Sequence, residues 1–574
     1  MHWVKCLLRD LRTYFKTIWI FLAPLLLLPL ALLTGREGKC AYCILVMSCY
    51  WVAEVVPLAV TALLPVVIMP MLGVVPIKNV ARAYLSETNM MFVSSLMLSL
   101  AVEECQLHKR FALKMLTLVG ARPQWLMAGF MFITTFISMW ISDAACAALM
   151  SPIAFALLES MMINKMAPLK NWSNSANGSA LQDDGYQEDR CKPERLDFSK
   201  LSKRDRGICK SLMLIVAHAS LIGGTATLNS TPPNLIFKST LEEYFPGENT
   251  GISYPSWMAF AIPPMILCMI ASWLITQLQF VGFRHVLRLF AKPTDEEEID
   301  EKNVKKAVST AYTELGSITF AEISTLIIFI LTILSWITRD PKIFDGWATL
   351  FKQGYITDAC TGIIAVFLLF VWPRELPDFF CLRPKSERRR PAINRNAILT
   401  WDAVRQRFPW SVILLLGSGF AIAESVKDSG LSAWLACRLE SLLSNLPHPA
   451  MQFIVSISAV IITEFCTNTA TASIILPIVF EVSIRMKVHP LYLSLAAAVG
   501  PSYAFMFPMA SPPNAIVYDT GAMSMLDMAS CGIFLNVACI LITVLNLNTW
   551  SHWLFSLGTY PEYALHHNVT SNCM

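Results

Sequence analysis

Two short strings in this chain hold the groups that recognise an oxyanion, and they occur in related form. The first is Ser142, Asp143, Ala144, Ala145, with Pro152 and Ile153 behind it; the second is Thr467, Asn468, Thr469, Ala470, with Pro477 and Ile478. Each sets a hydroxyl, an Asx residue and a small residue in the same order and reaches Pro-Ile ten positions later. A further pair follows: Ser230, Thr231, Pro232, Pro233, Asn234 in one half, and Ser511, Pro512, Pro513, Asn514 in the other. Hydroxyls and amides donate hydrogen bonds to carboxylate or sulfate oxygens, and a helix N-terminus beside them adds partial positive charge. Prolines that interrupt a helix free backbone carbonyls, which suit a hard cation such as sodium. The pattern therefore reads as an anion site flanked by cation sites. The plainer alternative is that Ser, Thr and Asn tie membrane helices together. One copy fits that alternative; the doubling, with Pro-Pro-Asn after each copy, favours a site.

Such strings need interrupted helices at membrane depth, and composition supplies the membrane. Of 574 residues, 55% are apolar and only 15% charged, whereas soluble domains carry about 25% charged residues. The mean hydropathy is +0.52. Runs such as Thr17 to Leu33, Ser211 to Lys238, Trp257 to Phe283, Phe320 to Ile337 and Ile533 to Leu547 approach or exceed the roughly 17 to 25 residues that cross a bilayer. The expected fold is an all-α polytopic membrane protein of about 11 transmembrane helices with two re-entrant hairpins in inverted repeats. Thr17 to Leu33 is long for a signal peptide and lacks an obvious cleavage site, so it is read as a retained first span. The sixteen cysteines read as small packed hydrophobes. A net charge of +4 says little about partners, and no nucleic-acid partner is expected.

Basic residues orient the chain, because short cytoplasmic loops collect Lys and Arg. Lys5, Arg9, Arg12 and Lys16 precede the first span, and the loops Lys165 to Lys210, Arg284 to Lys306 and Arg383 to Arg407 are also basic. The N-terminus is expected in the cytoplasm and the C-terminus outside, where Asn568 heads a glycosylation acceptor. Asn171 and Asn177 fit the same pattern in a loop placed inside, and Asn229 fits it at membrane depth. The expected division is 1–160 (first repeat with its hairpin), 161–210 (cytoplasmic insertion), 211–283 (rest of that repeat), 284–318 (cytoplasmic linker), 319–549 (second repeat) and 550–574 (extracellular tail). The insertion explains a mismatch: 92 residues separate Ser142 from Asn234, but 47 separate Thr467 from Asn514.

These strings resemble the divalent-anion/sodium symporter family. The similarity runs in order through Glu54 to Thr61, Leu107 to Arg110, Ser138 to Ser142, Gly223 to Leu228, Thr463 to Thr469 and Ala510 to Val517. It is strongest toward animal di- and tricarboxylate and sulfate carriers. The resemblance implies an elevator-type homodimer at the plasma membrane, with scaffold and transport parts, taking up succinate, citrate or sulfate with sodium ions as co-transported ligands and no resident cofactor. It implies substrate contacts at Ser142, Asp143, Ala144, Thr467, Asn468, Thr469 and Pro512. One sodium site would use Ser138, Ser142, Asp143 and backbone at Ser230; the other would use Thr463, Cys466, Asn468 and Ala510.

The chain departs from that signature where the family has Asn and Thr and this sequence has Asp143 and Ala144. An Asn amide offers an acceptor and donors, whereas an ionised Asp offers acceptors only. Three outcomes stay open: a charged Asp143 paired with sodium, a protonated one that makes transport pH-dependent, or a degenerate site with cation-independent or no transport. Ser230 stands where relatives often have Gly. Glu54, Glu424, Glu464 and Glu481 read as structural or interfacial carboxylates, and His218 as a packed helix contact. An enzyme is not expected: an intramembrane aspartyl protease needs two facing aspartates, and no second Asp lies in a comparable apolar run. An ATP-driven pump lacks its Gly-rich phosphate loop. Sodium-sulfate symport remains the alternative to carboxylate transport.

Overall fold

The computed structural model describes residues 13–33, 35–53, 55–118, 123–176, 201–282, 295–340, 345–352, 355–376, 396–443 and 446–565. Helices dominate it; the β-pairing among the described residues is one isolated bridge, Pro373 to Ala397. The first half runs α1 (Phe15–Leu33), α2 (Arg36–Ala53), α3 (Glu87–Glu104), α4 (Leu107–Leu118), α5 (Pro123–Ser138), α6 (Asp143–Ala176), α7 (Lys203–Gly224), α8 (Pro232–Tyr244), α9 (Tyr254–Thr276) and α10 (Asp295–Glu314). The second runs α11 (Phe320–Arg339), α12 (Asp358–Val371), α13 (Trp410–Asp428), α14 (Leu431–Leu443), α15 (His448–Phe465), α16 (Asn468–Arg485), α17 (Pro490–Val499), α18 (Pro512–Tyr518) and α19 (Met525–Asn548). Among the described residues, eight helices are long and apolar enough to cross a membrane, and the shorter apolar helices are Leu58–Met71, Gln124–Ser138 and Asp358–Val371. The chain is a polytopic membrane protein.

Apolar side chains face outward where a soluble protein would be polar. On α1, Phe21, Leu25 and Leu32 are exposed, as a lipid-facing span requires. Because lipid tails are as apolar as leucine, helix association in such a protein rests on close packing and polar contacts rather than on removal from water. Both devices surround the helices that matter here. At Gly223 on α7, an added Cβ would meet the Thr135 carbonyl oxygen of α5 at 2.6 Å, so these helices touch backbone to backbone. Gly532 on α19 approaches the Phe505 backbone in the same way, at 2.7 Å. Lys210 joins α7 to Asp527 of α19 at 2.7 Å, and Lys238 of α8 meets Asp358 of α12, which also pairs with Arg339 of α11.

Aromatic packing joins the two halves. Phe237 and Tyr244 of α8 stack on Phe480 of α16, with centroids 6.0 and 5.4 Å apart. Tyr244 also donates its hydroxyl to the Pro477 carbonyl at 3.1 Å. The helix that follows the first Pro-Pro-Asn string is thereby fixed to the inner arm of the second hairpin.

Several expected boundaries move. The insertion placed at 161–210 is narrower: α6 continues to Ala176 and α7 begins at Lys203, capped by Ser202, whose side chain accepts from the Asp205 amide. Residues 177–200 lie outside the described residues, as do Glu54 and Asn568. The expected linker at 284–318 contains α10, which buries Val308 against the first half's core. The segment placed as a tail from 550 folds back instead. Trp550 donates to the Ala259 carbonyl at 2.8 Å, and Tyr563 meets Phe245 edge-on.

Candidate functional site

Each mirrored string forms the tip of a helical hairpin. In the first, α5 ends at Ser138, residues 139–142 turn, and α6 starts at Asp143. Ser142 caps α6, its Oγ accepting from the Ala145 amide at 3.4 Å, and the Cys146 thiol crosses to the Thr134 carbonyl on the other arm at 3.3 Å. In the second, α15 ends at Phe465 and Thr467 caps α16, accepting from the Ala470 amide at 3.3 Å. Hydroxyl capping is what Ser and Thr do best at a helix start, and here it leaves the Asx residue behind each cap free to face outward.

The Pro-Pro-Asn strings start α8 and α18 after non-helical stretches at 225–231 and 503–511. Their asparagines close these stretches in matching fashion. Asn234 donates from Nδ2 to the carbonyls of Gly224 at 3.2 Å and Thr227 at 2.8 Å, and Asn514 donates to those of Ala504 at 2.7 Å and Phe507 at 3.1 Å. In both halves the accepting residues stand ten and seven positions before the asparagine. Carbonyls that a broken helix leaves unpaired are thus partly satisfied from within the same segment.

Both tips and both breaks line one cavity of about 580 Å³, with Ser142, Asp143 and Ala144 from one hairpin and Thr467, Asn468 and Thr469 from the other. Pro232, Ala510 and Pro512 complete its floor. The starts of α6, α8 and α16 converge there, a convergence that presents backbone amides and partial positive charge to an anion. All seven residues expected to touch substrate border this space. Two further hydroxyls were missed by sequence reasoning: Thr231 and Ser511 border it too and are 1% and 2% exposed; Thr231 faces Asp143, and Ser511 Oγ has no hydrogen-bond partner among the described residues. The available signal was a hydroxyl directly before Pro-Pro in both copies.

Of the residues expected around sodium, Ser142, Asp143, Asn468 and Ala510 border the cavity, and Ser138, Ser230 and Thr463 are not among the residues that line it. Ser138 donates to the Ser220 carbonyl, tying α5 to α7. Ser230 donates to the Gly224 carbonyl and sits 3.0 Å from the Thr227 hydroxyl, so its side chain occupies the loop that Gly would leave open. On the other side, the Thr463 hydroxyl lies 2.9 Å from Asn468 Oδ1 and 2.8 Å from the Pro501 carbonyl. Cys466 borders a neighbouring cleft of about 250 Å³ rather than the central cavity; the two share Leu58, Thr467 and Met509. Lys16 stands on the rim of that cleft.

Two buried ionisable groups have structural roles, as expected. Glu464 accepts from the amides of Phe505 and Met506 at 3.0 and 3.2 Å and from Asn536 at 2.7 Å. It thereby holds the donors of the second break while Asn514 holds the acceptors. His218 lies against Ser272 and meets Phe505 edge-on. Glu481 pairs with Arg485 at 3.1 Å.

The central cavity continues into a wider vestibule of about 1000 Å³, the two sharing Glu103, Ala145, Ala148 and Arg407. The vestibule carries charge of both signs, including Lys109, Glu314 and Arg374. Arg407 is held there by Glu104 at 2.7 Å.

Comparison with known proteins gives the same picture of the whole chain. Residues 10–557 match the family described as "Sodium:sulfate symporter transmembrane region". An uncharacterised transporter of Caenorhabditis elegans is 58% identical, covering 98% of each chain. The sodium-dependent high-affinity dicarboxylate transporter 2 of the same organism is 40% identical over 96% of each. The mouse Na(+)/citrate cotransporter is 37% identical over 96% of this chain and 97% of its own.

Proposed function

Because the chain belongs to the divalent-anion/sodium symporter family, we propose that it is a secondary active transporter, not an enzyme, that carries small di- and tricarboxylates together with sodium across the plasma membrane. The observation that carries this reading is the meeting of two hairpin tips and two proline-broken helices at one cavity. Its walls offer hydroxyls, amides and helix starts, and the one basic side chain among the described lining residues, Arg407, is already paired with Glu104. Such a wall binds a dianion only while cations sit close by, which is the physical content of symport: substrate and sodium stabilise one another in the site.

Substrate is bound by Ser142, Thr467, Asn468 and Thr469 and packs on Pro512 at the start of α18, with Thr231 and Ser511 as two further donors. Sodium is bound between Ser138, Ser142, Asp143 and the 225–231 loop, and between Thr463, Asn468 and the backbone at Cys466 and Ala510. The relatives' names, a dicarboxylate transporter and a citrate cotransporter, support carboxylates over sulfate, and about 580 Å³ is ample for either. Ala144, which lacks a hydroxyl at the first tip, is the observation that favours the sulfate alternative. The reading includes a homodimer, a cytoplasmic N-terminus supported by Lys5, Arg9 and Arg12 before α1 and Lys16 in its first turn, and glycosylation of Asn568 outside.

The test is uptake of radiolabelled succinate, citrate and sulfate into cells expressing the chain, in sodium and in choline medium. Sodium-dependent accumulation of succinate or citrate that sulfate does not compete away is the expected result. Sulfate-only uptake refutes the carboxylate assignment, and equal uptake in choline refutes the coupling.

A further inference from the structure

The two hairpins match in backbone and differ in charge. Where α16 opens with neutral Asn468, α6 opens with Asp143. Asn468 Oδ1 is engaged by Thr463. Asp143 is 8% exposed, borders the cavity, and forms none of the ion pairs found among the described residues. Its Oδ1 accepts from the Ala144 amide at 2.8 Å. Capping of α6 falls to Ser142, so the carboxylate is surplus to the helix. The helix start offsets only about half an elementary charge. Across the first break, an added Cβ at Gly224 would lie 3.6 Å from the Asp143 Cβ and 3.5 Å from that of Thr231, whose hydroxyl faces the carboxylate. A carboxylate therefore faces an unwound loop and the buried Thr231 hydroxyl, an oxygen-rich setting for a hard cation.

We propose that Asp143 is a fixed counter-charge that makes the first sodium site bind without substrate and keep its ion as the site changes sides. One sodium ion then cycles with the protein instead of being delivered. The argument is the cost of the return step. After the anion leaves, a neutral site crosses the low-dielectric interior empty, but a bare carboxylate there is strongly disfavoured. The ion that neutralises it is the one least able to leave. Asn468 imposes no such constraint, so the second site empties with each cycle. The inference rests on the proposed sodium coupling and sharpens it: sodium at the first site precedes the anion, and the net number of sodium ions delivered per anion is one fewer than the number bound.

The experiment uses the full-length chain, purified and reconstituted in vesicles. Sodium titration without any anion, read by tryptophan fluorescence and by melting temperature, is expected to show a half-saturating concentration at least about tenfold higher in Asp143→Asn than in wild type. Asp143→Glu keeps the charge and is expected to titrate within about threefold of wild type, which separates loss of charge from loss of fold. Asn468→Asp is expected to tighten sodium binding. Reversal potentials for anion-coupled current are expected to report one more sodium ion per anion in Asp143→Asn. Superimposable titrations of Asp143→Asn and wild type, or an unchanged coupling ratio, overturn the inference. Absence of uptake for every anion refutes the transport reading, yet the anion-free titration still decides whether Asp143 holds the ion.

Discussion

Replacing Asn514 by Leu tests how the second break is held open. The substitution keeps the side-chain branching but removes both amide donors, so the Ala504 carbonyl, now bonded at 2.7 Å, loses its partner, while the Phe507 carbonyl, bonded at 3.1 Å, keeps only the Ala510 amide at 3.2 Å. Hydrogen bonds between membrane helices average only about 0.6 kcal/mol, because partners in a regular helix find substitutes. That average does not apply here: the carbonyls belong to non-helical backbone, and Asn514 is fully buried. Stranding a buried acceptor costs about 1–3 kcal/mol, and with the Ala504 carbonyl the one left without a donor, a loss of that size is expected. Asn234→Leu removes the same kind of donor from Gly224 and Thr227, but both carbonyls keep the Ser230 hydroxyl within reach, so its cost is expected to be smaller, about 0.5–1.5 kcal/mol. Stability in detergent is measured by chemical denaturation with and without saturating sodium. Each variant is expected to show its loss without sodium and a reduced stabilisation by it, since the freed carbonyls no longer hold a site. A loss below about 0.5 kcal/mol in both variants, with the sodium response intact, would refute the reasoning.

Three other perturbations probe the frame of the site. Gly223→Ala forces a methyl against the Thr135 carbonyl at 2.6 Å, whereas at Gly224 the nearest atom is 3.5 Å away; the first is expected to cost about 1–3 kcal/mol and most of the uptake, the second little of either. Asp358→Asn leaves Lys238 and Arg339 without their shared carboxylate, and a loss of about 3–5 kcal/mol is expected in the same denaturation assay. In a Cys360→Ser background, which removes an exposed thiol, a methanethiosulfonate reagent is expected to modify Cys466 and block uptake, and sodium plus succinate is expected to slow that reaction; equal rates with and without them would place Cys466 away from the site.

The hairpins and their shared cavity were legible because their signal is local and doubled. A hydroxyl before an Asx residue, repeated with Pro-Ile ten positions on, fixes a cap and a turn without reference to anything distant. The same holds for Pro-Pro, which starts α8 and α18 where the backbone cannot continue an earlier helix. What stayed hidden depends on chain segments far apart in sequence. Asn234 and Asn514 were visible only as letters in a string, since their targets lie across an unwound segment. Glu464 read as structural, but its partners, the amides of Phe505 and Met506 and the side chain of Asn536, carry no mark in the sequence. Thr231 and Ser511 escaped notice because attention fell on the backbone beside them. Polarity likewise hid α10: its charged opening looked like a linker, while Val308 and its neighbours supply a single buried face.

The wall shared by the central chamber and the vestibule, termed the waist, bears on pharmacology. Glu103, Ala145, Ala148 and Arg407 belong to both spaces, and Ala145 and Ala148 lie within the first two turns of the hairpin's inner arm. An elongated blocker with an acidic head seated between the tips and an apolar shaft through the waist would press on that arm from both sides. It would arrest the carrier by wedging rather than by competing for donors, and its potency would follow the length of the shaft more closely than the chemistry of the head.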